Sequence, residues 1–580
     1  MSFSVPAGLL CQSRGIHSLP VELLTRIFAL GAGFDYLYEE SPFLLKPNQD
    51  CYSPPPSFQL LVSHVCHRWR QVALRTPSLW TTVHLREPVH LARARAYLDR
   101  CSTSAAYLLD ILVDTVAPEE HIPGVTLCLE EIVEVFDLII PHVQHWRSFH
   151  LKVRSNECKL QARRYLSTCG PAPSLETLQL YHFEDYSTSQ DLWIATYRPP
   201  VVVFNNSVPK LRNVSLIGVN LPWLKSPYLM NLQKLELALH PDNIRPPYDS
   251  WDRMLRLSPQ LQSLYLHYSG PRLESGEPSS AWTPTKEKIA LDMLSDLRFT
   301  DLDPDYLCGV VERLYLPSAR RMSWDLPEQD FTPFIELLTR KTERHPSEAS
   351  GSSGEVSSTA APTKRRSKIA ISSLLSGSDP EVLDESDGVL VRLPRPDVLF
   401  EGPLPHLGRL ETLAIAALEC SLLSWQTLLQ SMDGLKRLEV DFRRVRPESW
   451  KVFAGAVEVD SRGALRLGSS RLLLPRLQTF KVAGVSGVEA QREMIRRAKT
   501  AGGEGGLGHW IIRWSPGMKG EDTVLDELVQ HGYTLKEDGK SDVSSFAMVK
   551  VETYFEDDEE ELDEEPEPDG SQDEDSSGSP

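Results

Sequence analysis

Leu232-Gln233-Lys234-Leu235-Glu236-Leu237 and, 29 residues on, Leu261-Gln262-Ser263-Leu264-Tyr265-Leu266 share one spacing: apolar, two residues, apolar, one residue, apolar. The last two leucines of each set project from the same side of a strand, and Glu236 or Tyr265 between them projects from the other. Working outward, the spacing recurs at Trp146/Phe149/Leu151, Leu175/Leu178/Leu180, Leu211/Val214/Leu216, Leu294/Leu297/Phe299 and Val311/Leu314/Leu316. It returns at Leu410/Leu413/Ile415, Leu435/Leu438/Val440 and Leu477/Phe480/Val482. A short strand with one apolar face cannot bury that face alone, so each unit is expected to stack on its neighbours in a parallel sheet.

The spacing resembles the leucine-rich repeat, in an irregular form: the first seven units follow one another at steps of 29, 36, 21, 29, 33 and 17 residues, and the family's Asn or Cys after the last leucine is mostly absent. Unrelated buried strands of an α/β domain are the other reading of the same leucines. If the repeats form strands, the residues between and after the paired leucines face the open, concave side: Gln179 and Tyr181, Ser215 and Ile217, Glu236, Tyr265 and His267, and Tyr315. The resemblance makes that side the candidate substrate-binding face, with Gln179, Tyr181, Ser215, Tyr265, His267 and Tyr315 as its residues and the aromatics as the best anchors. Ordinary surface is the alternative.

Upstream lies a helical unit in two pieces. In LPVELLTRIFAL, the residues Leu19, Leu23, Ile27 and Leu30 recur at helical spacing, with Leu24 and Phe28 widening the stripe. Pro20 suits a first helical turn, and Glu22 complements its positive end. In FQLLVSHVCHRWRQVALRTPSLW, the residues Leu61, Val65 and Val72 form one edge of a stripe and Val62, Cys66, Trp69 and Ala73 the other, until Thr76-Pro77 stops the helix. Helices this short are marginal alone, so both stripes need a covering surface.

Leu19-Pro20-x-Glu22-Leu23-x(3)-Ile27-Phe28, then Val62-Ser63-x-Val65-Cys66-x-Arg68-Trp69-Arg70, then Pro77-x-Leu79-Trp80, resembles an F-box. The resemblance implies docking on a Skp-family adaptor, and through it on cullin and RING subunits of a ubiquitin ligase. Its adaptor-binding residues here are Leu19, Pro20, Leu23, Ile27, Val65, Cys66, Trp69, Leu79 and Trp80. A proline-rich insertion at about 31–57 replaces the family's short connection. Core residues of an ordinary helical domain would show the same periodicity; the order of the three blocks is what favours the F-box.

The expected architecture is α/β: an all-helical F-box over 14–85, a leucine-rich-repeat solenoid over 86–340, a disordered insertion over 341–388, the solenoid continued over 389–485, an α/β cap over 486–555 and an acidic disordered tail over 556–580. The insertion is rich in Ser, Gly, Pro and charge, too poor in apolar residues to offset its ordering entropy. Lys364-Arg365-Arg366-x-Lys368 within it is either a nuclear import signal or a solvated charge cluster. Net charge is −19, yet 556–580 holds 14 Asp/Glu and no Lys or Arg, which leaves −5 for the rest and argues against a nucleic-acid footprint. Nine scattered cysteines without a Cys-x-x-Cys pair suit a reducing compartment, and neither a signal peptide nor an apolar run long enough for a membrane span is visible; the expectation is a soluble cytoplasmic or nuclear protein.

Catalytic patterns do not emerge. Gly503-x-Gly505-x-x-Gly508 follows a helix and precedes a strand, the reverse of a dinucleotide fingerprint. His64, Cys66 and His67 lack a second ligand pair at zinc spacing, and His142 and His145 read as solvated or capping. No catalysis, cofactor or metal is assigned. The function expected is the substrate-recognition subunit of a Skp-cullin-F-box ubiquitin ligase; a repeat-based interaction scaffold without a ubiquitin role is the alternative.

Overall fold

The computed structural model describes residues 16, 19–32, 58–102, 107–182, 200–226, 229–272, 288–339, 407–446, most of 448–485, and short stretches within 489–497, 509–513, 534–535 and 548–549. Nearly all of the proline-rich insertion, the 341–388 insertion with its basic cluster, the Gly503–Gly508 loop and the acidic tail lie outside the described residues.

Three helices open the chain: α1 (Val21–Ala32), α2 (Phe58–Val65) and α3 (His67–Leu74), followed by a 3-10 turn at Pro77–Trp80. The second apolar piece is therefore two helices, where its periodicity suggests one. The break falls at Cys66, whose backbone is extended (φ −160°, ψ 168°) and whose Sγ accepts the Trp69 N–H at 3.5 Å. Cys66 caps α3 instead of continuing an apolar stripe, a role its thiol fills in place of a hydroxyl.

The chain then alternates strand and helix. The helices are α4 (Val89–Cys101), α5 (Leu129–Ile139), α6 (Asn156–Thr168), α7 (Tyr248–Arg256), α8 (Pro304–Glu312), α9 (Thr332–Thr339), α10 (Leu422–Gln430) and α11 (Glu448–Phe453). The strands through the middle of the chain are β1 (Thr82–Leu85), β2 (Leu109–Asp114), β3 (Trp146–Val153), β4 (Thr177–His182), β5 (Asn213–Ile217), β6 (Lys234–Ala238), β7 (Ser263–His267), β8 (Ile289–Ala290), β9 (Asp296–Thr300), β10 (Leu314–Tyr315) and β11 (Arg321–Asp330). There follow β12 (Thr412–Glu419), β13 (Arg437–Asp441), β14 (Val457–Val459), β15 (Leu465–Leu467), β16 (Thr479–Ala483), β17 (His509–Arg513), β18 (Thr534–Leu535) and β19 (Met548–Val549). Thirteen of them form one sheet in chain order, β1-β2-β3-β4-β5-β6-β7-β9-β11-β12-β13-β16-β17, every pair parallel. The protein is thus mixed α/β, built on one large parallel sheet.

Parallel sheets are usually apolar on both faces because helices cover both. Here the main core takes alternate positions, Leu178 and Leu180, Val214 and Leu216, Leu235 and Leu237, Leu264 and Leu266, while Thr177, Asn213, Lys234 and Ser263 stand on the opposite face in register, which among the described residues holds only the small apolar cluster of Leu112, Tyr181, Ile217 and Ala238. The period-2 alternation read from the leucines is what makes the sheet one-sided.

Two backbone devices repeat. At the strands' N-terminal edge one carbonyl accepts two successive N–H groups of the next unit: Gln233 O from Gln262 and Ser263, Gln262 O from Ser295 and Asp296, Ser295 O from Arg320 and Arg321, Arg320 O from Glu411 and Thr412. At the other edge the residue after the strand turns left-handed, with φ 64° at Gly218, 53° at Leu239, 44° at Tyr268, 49° at Asp301 and 75° at Gly484. Gly218 is required twice over, because a Cβ there would stand 2.6 Å from the His182 carbonyl oxygen. Where Leu and Tyr occupy the same turn, the strain is offset by N–H bonds from Leu239 to His267 O and from Tyr268 to Thr300 O, both 2.9 Å.

One unit is displaced from its expected place. Val311 belongs to α8, and Leu314–Tyr315 pairs only with β8; the strand that continues the main sheet is β11, with Met322, Trp324 and Leu326 pointing into the core. Strands β11 and β12 pair directly although residues 331–411 intervene. The HWIIRW segment, expected in a separate cap, adds β17 to the sheet edge. Among the described residues no helix is long and apolar enough to cross a membrane.

Candidate protein-docking surfaces

The helical start sorts its apolar residues into two faces. Leu24 and Phe28 of α1, Val62 of α2, and Val72 and Ala73 of α3 are buried, and Phe28 meets the half-buried Trp69 ring at 5.0 Å. Leu19 also packs on this core, and its carbonyl accepts a hydrogen bond from Arg68 Nη2. The other stripe remains outside: Leu23 is 51 % exposed, Ile27 42 % and Val65 56 %, with Val21, Leu30 and Leu61 exposed as well. Seven of the nineteen exposed large apolar side chains among the described residues lie within the first 65 positions. That density exceeds the scattered single exposures of an ordinary surface and makes this stripe a candidate docking face.

Of the adaptor-binding residues expected from sequence, Leu19, Cys66 and Trp69 are half-buried, and Pro20, Leu23, Ile27 and Val65 are exposed. Leu79 and Trp80 are corrected: both lie in the protein's own core. The Trp80 ring packs edge-on against Tyr97 at 4.9 Å, the Arg100 guanidinium lies 4.3 Å from its centroid, and its Nε1–H donates to Ala73 O at 3.0 Å. Trp80 joins the helical unit to α4 and the first strand, and has no face left for a partner.

On the open face of the sheet the expected residues divide. Gln179, Tyr181 and Ser215 are corrected, because all three are buried. Gln179 Oε1 accepts from His150 Nδ1 at 2.7 Å, Ser215 donates to Glu236 Oε2 at 2.6 Å, and Tyr181 packs with Leu112, Ile217 and Ala238 in a small second apolar cluster. Residues in one row stand about 4.8 Å apart on adjacent strands, so bulky neighbours cover each other. Tyr315, on the separate two-stranded pair, is absent from this face altogether.

Tyr265 and His267 remain, half-buried, and each is held in place. The Tyr265 ring sits between Lys234 Nζ at 4.9 Å and the Arg298 guanidinium at 4.4 Å, and its hydroxyl donates to Asp296 Oδ2 at 3.0 Å. Burial first, then the Asp296 charge, pushes the Tyr265 hydroxyl up to about 12, so it stays a donor at neutral pH. His267 Nε2 lies 3.0 Å from Asp301 Oδ2. Sequence reasoning missed the charged members, Lys234, Asp296, Arg298 and Arg321; the signal was their shared place beside the paired leucines.

His142 and His145, expected solvated or capping, flank Tyr107 instead: its hydroxyl is 2.8 Å from His142 Nδ1, and the His145 ring stacks on it at 4.1 Å. Among the described residues no group of three His, Cys, Asp or Glu side chains is placed to hold a metal ion, and the described cysteines are free thiols. The two candidate surfaces differ in chemistry: one is apolar and helical, the other polar and sheet-borne. The chain matches no protein-family model and no curated protein.

Proposed function

We propose that the chain is the substrate-recognition subunit of a Skp-cullin-F-box ubiquitin ligase, with helices α1–α3 docking on a Skp-family adaptor and the open face of the sheet holding the protein to be ubiquitinated. On this reading the sheet is a stack of irregular leucine-rich repeats. The observation that carries it is the second apolar stripe of α1 and α2, which stays exposed in the segment whose motif order resembles an F-box. Fully burying one such side chain is worth about 1.5–3 kcal/mol, and Leu23, Ile27 and Val65 are each about half exposed, so a partner that covers all three gains roughly 2–5 kcal/mol before its own ordering costs.

The scaffold reading has one observation in its favour: Trp80 and β1 tie the helical unit to the sheet, as an N-terminal cap would be tied. A cap presents a polar outer face, and this one carries an exposed apolar stripe among its polar residues. The two readings separate on point variants. Leu23→Ala and Val65→Ala are each expected to weaken adaptor binding by about tenfold, at roughly 1.4 kcal/mol per exposed side chain, without changing the unfolding midpoint. Tyr265→Ala, on the sheet, leaves adaptor affinity untouched. Adaptor affinity unaffected by Leu23→Ala and Val65→Ala together would contradict the docking face.

A further inference from the structure

At the N-terminal edge of the strands each carboxylate is less exposed than the cations it pairs with, Asp296 deeply buried and Glu411 39 % exposed. Asp296, its side chain only 9 % exposed, accepts from Tyr265 and lies 3.8 Å from Arg298 Nε and 3.4 Å from Arg321 Nε, whose side chain is 58 % exposed. Glu411 repeats the arrangement, 3.8 Å from Arg320 Nη1 and 3.2 Å from Lys436 Nζ, with Arg320 65 % exposed. Each carboxylate serves two cations. Arg437, one strand beyond Thr412, is exposed and forms no ion pair among the described residues. Glu439, in register with Arg298 through Ser323 and Ala414, pairs with Lys481 at 3.4 Å, so Arg298, Arg320, Arg321, Lys436, Arg437 and Lys481 stand beside the three carboxylates Asp296, Glu411 and Glu439. The excess is local, since the chain as a whole is acidic.

Arg321, Thr412 and Arg437 are directly in register, so a short hydroxyl side chain lies between two long guanidinium side chains whose Cα atoms are about 10 Å apart across two strand spacings. Guanidinium groups favour carboxylate partners because their forked N–H donors bind both oxygens at once. An extended peptide lying across the strands places alternate side chains about 7 Å apart, between the one-strand step from β9 to β11 and the two-strand step from Arg321 to Arg437, a difference the long guanidinium side chains span. Nucleic acid fits less well: among the described residues the aromatic beside the strip, Tyr265, has Lys234 and Arg298 against its ring and offers no stacking platform.

We propose that this strip binds an extended acidic segment of a partner protein, with Asp or Glu at alternate positions, through Arg298, Arg320, Arg321, Lys436 and Arg437. The proposal deepens the reading of the sheet's open face as the recognition surface and rests on it, but needs nothing of the adaptor.

The test is fluorescence anisotropy of a labelled alternating Glu-Ser peptide with the full chain. Binding is expected to weaken as salt rises, to fall about tenfold in Arg437→Glu and about a hundredfold in Arg321→Glu/Arg437→Glu, and to be unchanged by Arg164→Glu on the helix side. Arg437→Glu breaks no ion pair among the described residues, so it separates binding from folding. No binding, or binding indifferent to Arg437→Glu, overturns the proposal. Tighter binding through the same arginines by a peptide of the chain's own residues 556–580, or by oligo-uridine RNA, reassigns the strip and also overturns it. Adaptor affinity measured on the same preparations distinguishes this failure from failure of the ligase reading.

Discussion

Trp80→Ala lowers the unfolding free energy by about 3–5 kcal/mol, the usual cost of emptying a fully buried tryptophan site. The indole is 1 % exposed, and three contacts fix it: the edge of Tyr97, the Arg100 guanidinium and the Ala73 carbonyl. Removing it leaves a cavity between the helical unit and α4, with the Ala73 carbonyl deprived of its indole donor. Chemical denaturation of the full chain measures the loss. The same experiment on Leu23→Ala should show a midpoint shifted little, because Leu23 is half exposed before any partner arrives. Equal stability losses in the two variants would contradict the division of this segment into a core face and an exposed face.

Acid provides the second large effect. Burial pushes His150 down to about 4 and His240 down to about 3, and both imidazoles are fully enclosed. His240 bonds to Ser269 Oγ at 2.8 Å through Nδ1 and to Val219 O at 3.1 Å through Nε2, contacts that suit a neutral ring. Because the folded values lie below the ordinary histidine value near 6.5, the unfolded chain takes up protons first as pH falls. The stability these two groups confer is complete above that value and shrinks toward pH 4, with a combined loss of about 3–4 kcal/mol between pH 7 and pH 5. Unfolding free energies across that range measure it. A His150→Gln/His240→Gln variant that still folds should lose about 3–4 kcal/mol less than the parent over the same interval; an identical pH profile would refute the assignment to these histidines.

The strands were legible because paired leucines at a period of two fit little besides a strand with one buried face, and the sheet's one-sidedness followed from the same alternation. The exception is instructive. Leu314 and Leu316 offered a stronger apolar pair than Met322 and Trp324, yet α8 runs through Glu312 and leaves Leu314–Tyr315 to pair outside the main sheet. Residue spacing cannot reveal where a preceding helix ends. Nor could it reveal the break at Cys66, since helical periodicity continues across a capped junction.

The candidate sites were legible only in part, for a reason of scale. Whether Leu23 or Leu24 faces the core depends on neighbours within one helix, and the stripe contained both faces. Whether Gln179 or Tyr181 is exposed depends on His150, Ile217 and Ala238, some 29–57 residues away in sequence and one to two strands away in space. The charged stations around Asp296 and Glu411 arise in the same way, from strands that meet only after the chain has folded.

The most direct measurement is a calorimetric titration of the purified full chain with a purified Skp-family adaptor. The expected result is a one-to-one complex with a negative heat-capacity change, as when Leu23, Ile27 and Val65 are withdrawn from water, and its loss in Leu23→Asp/Val65→Asp. A folded wild-type chain that gives no binding heat at several temperatures and no complex on a sizing column would contradict it.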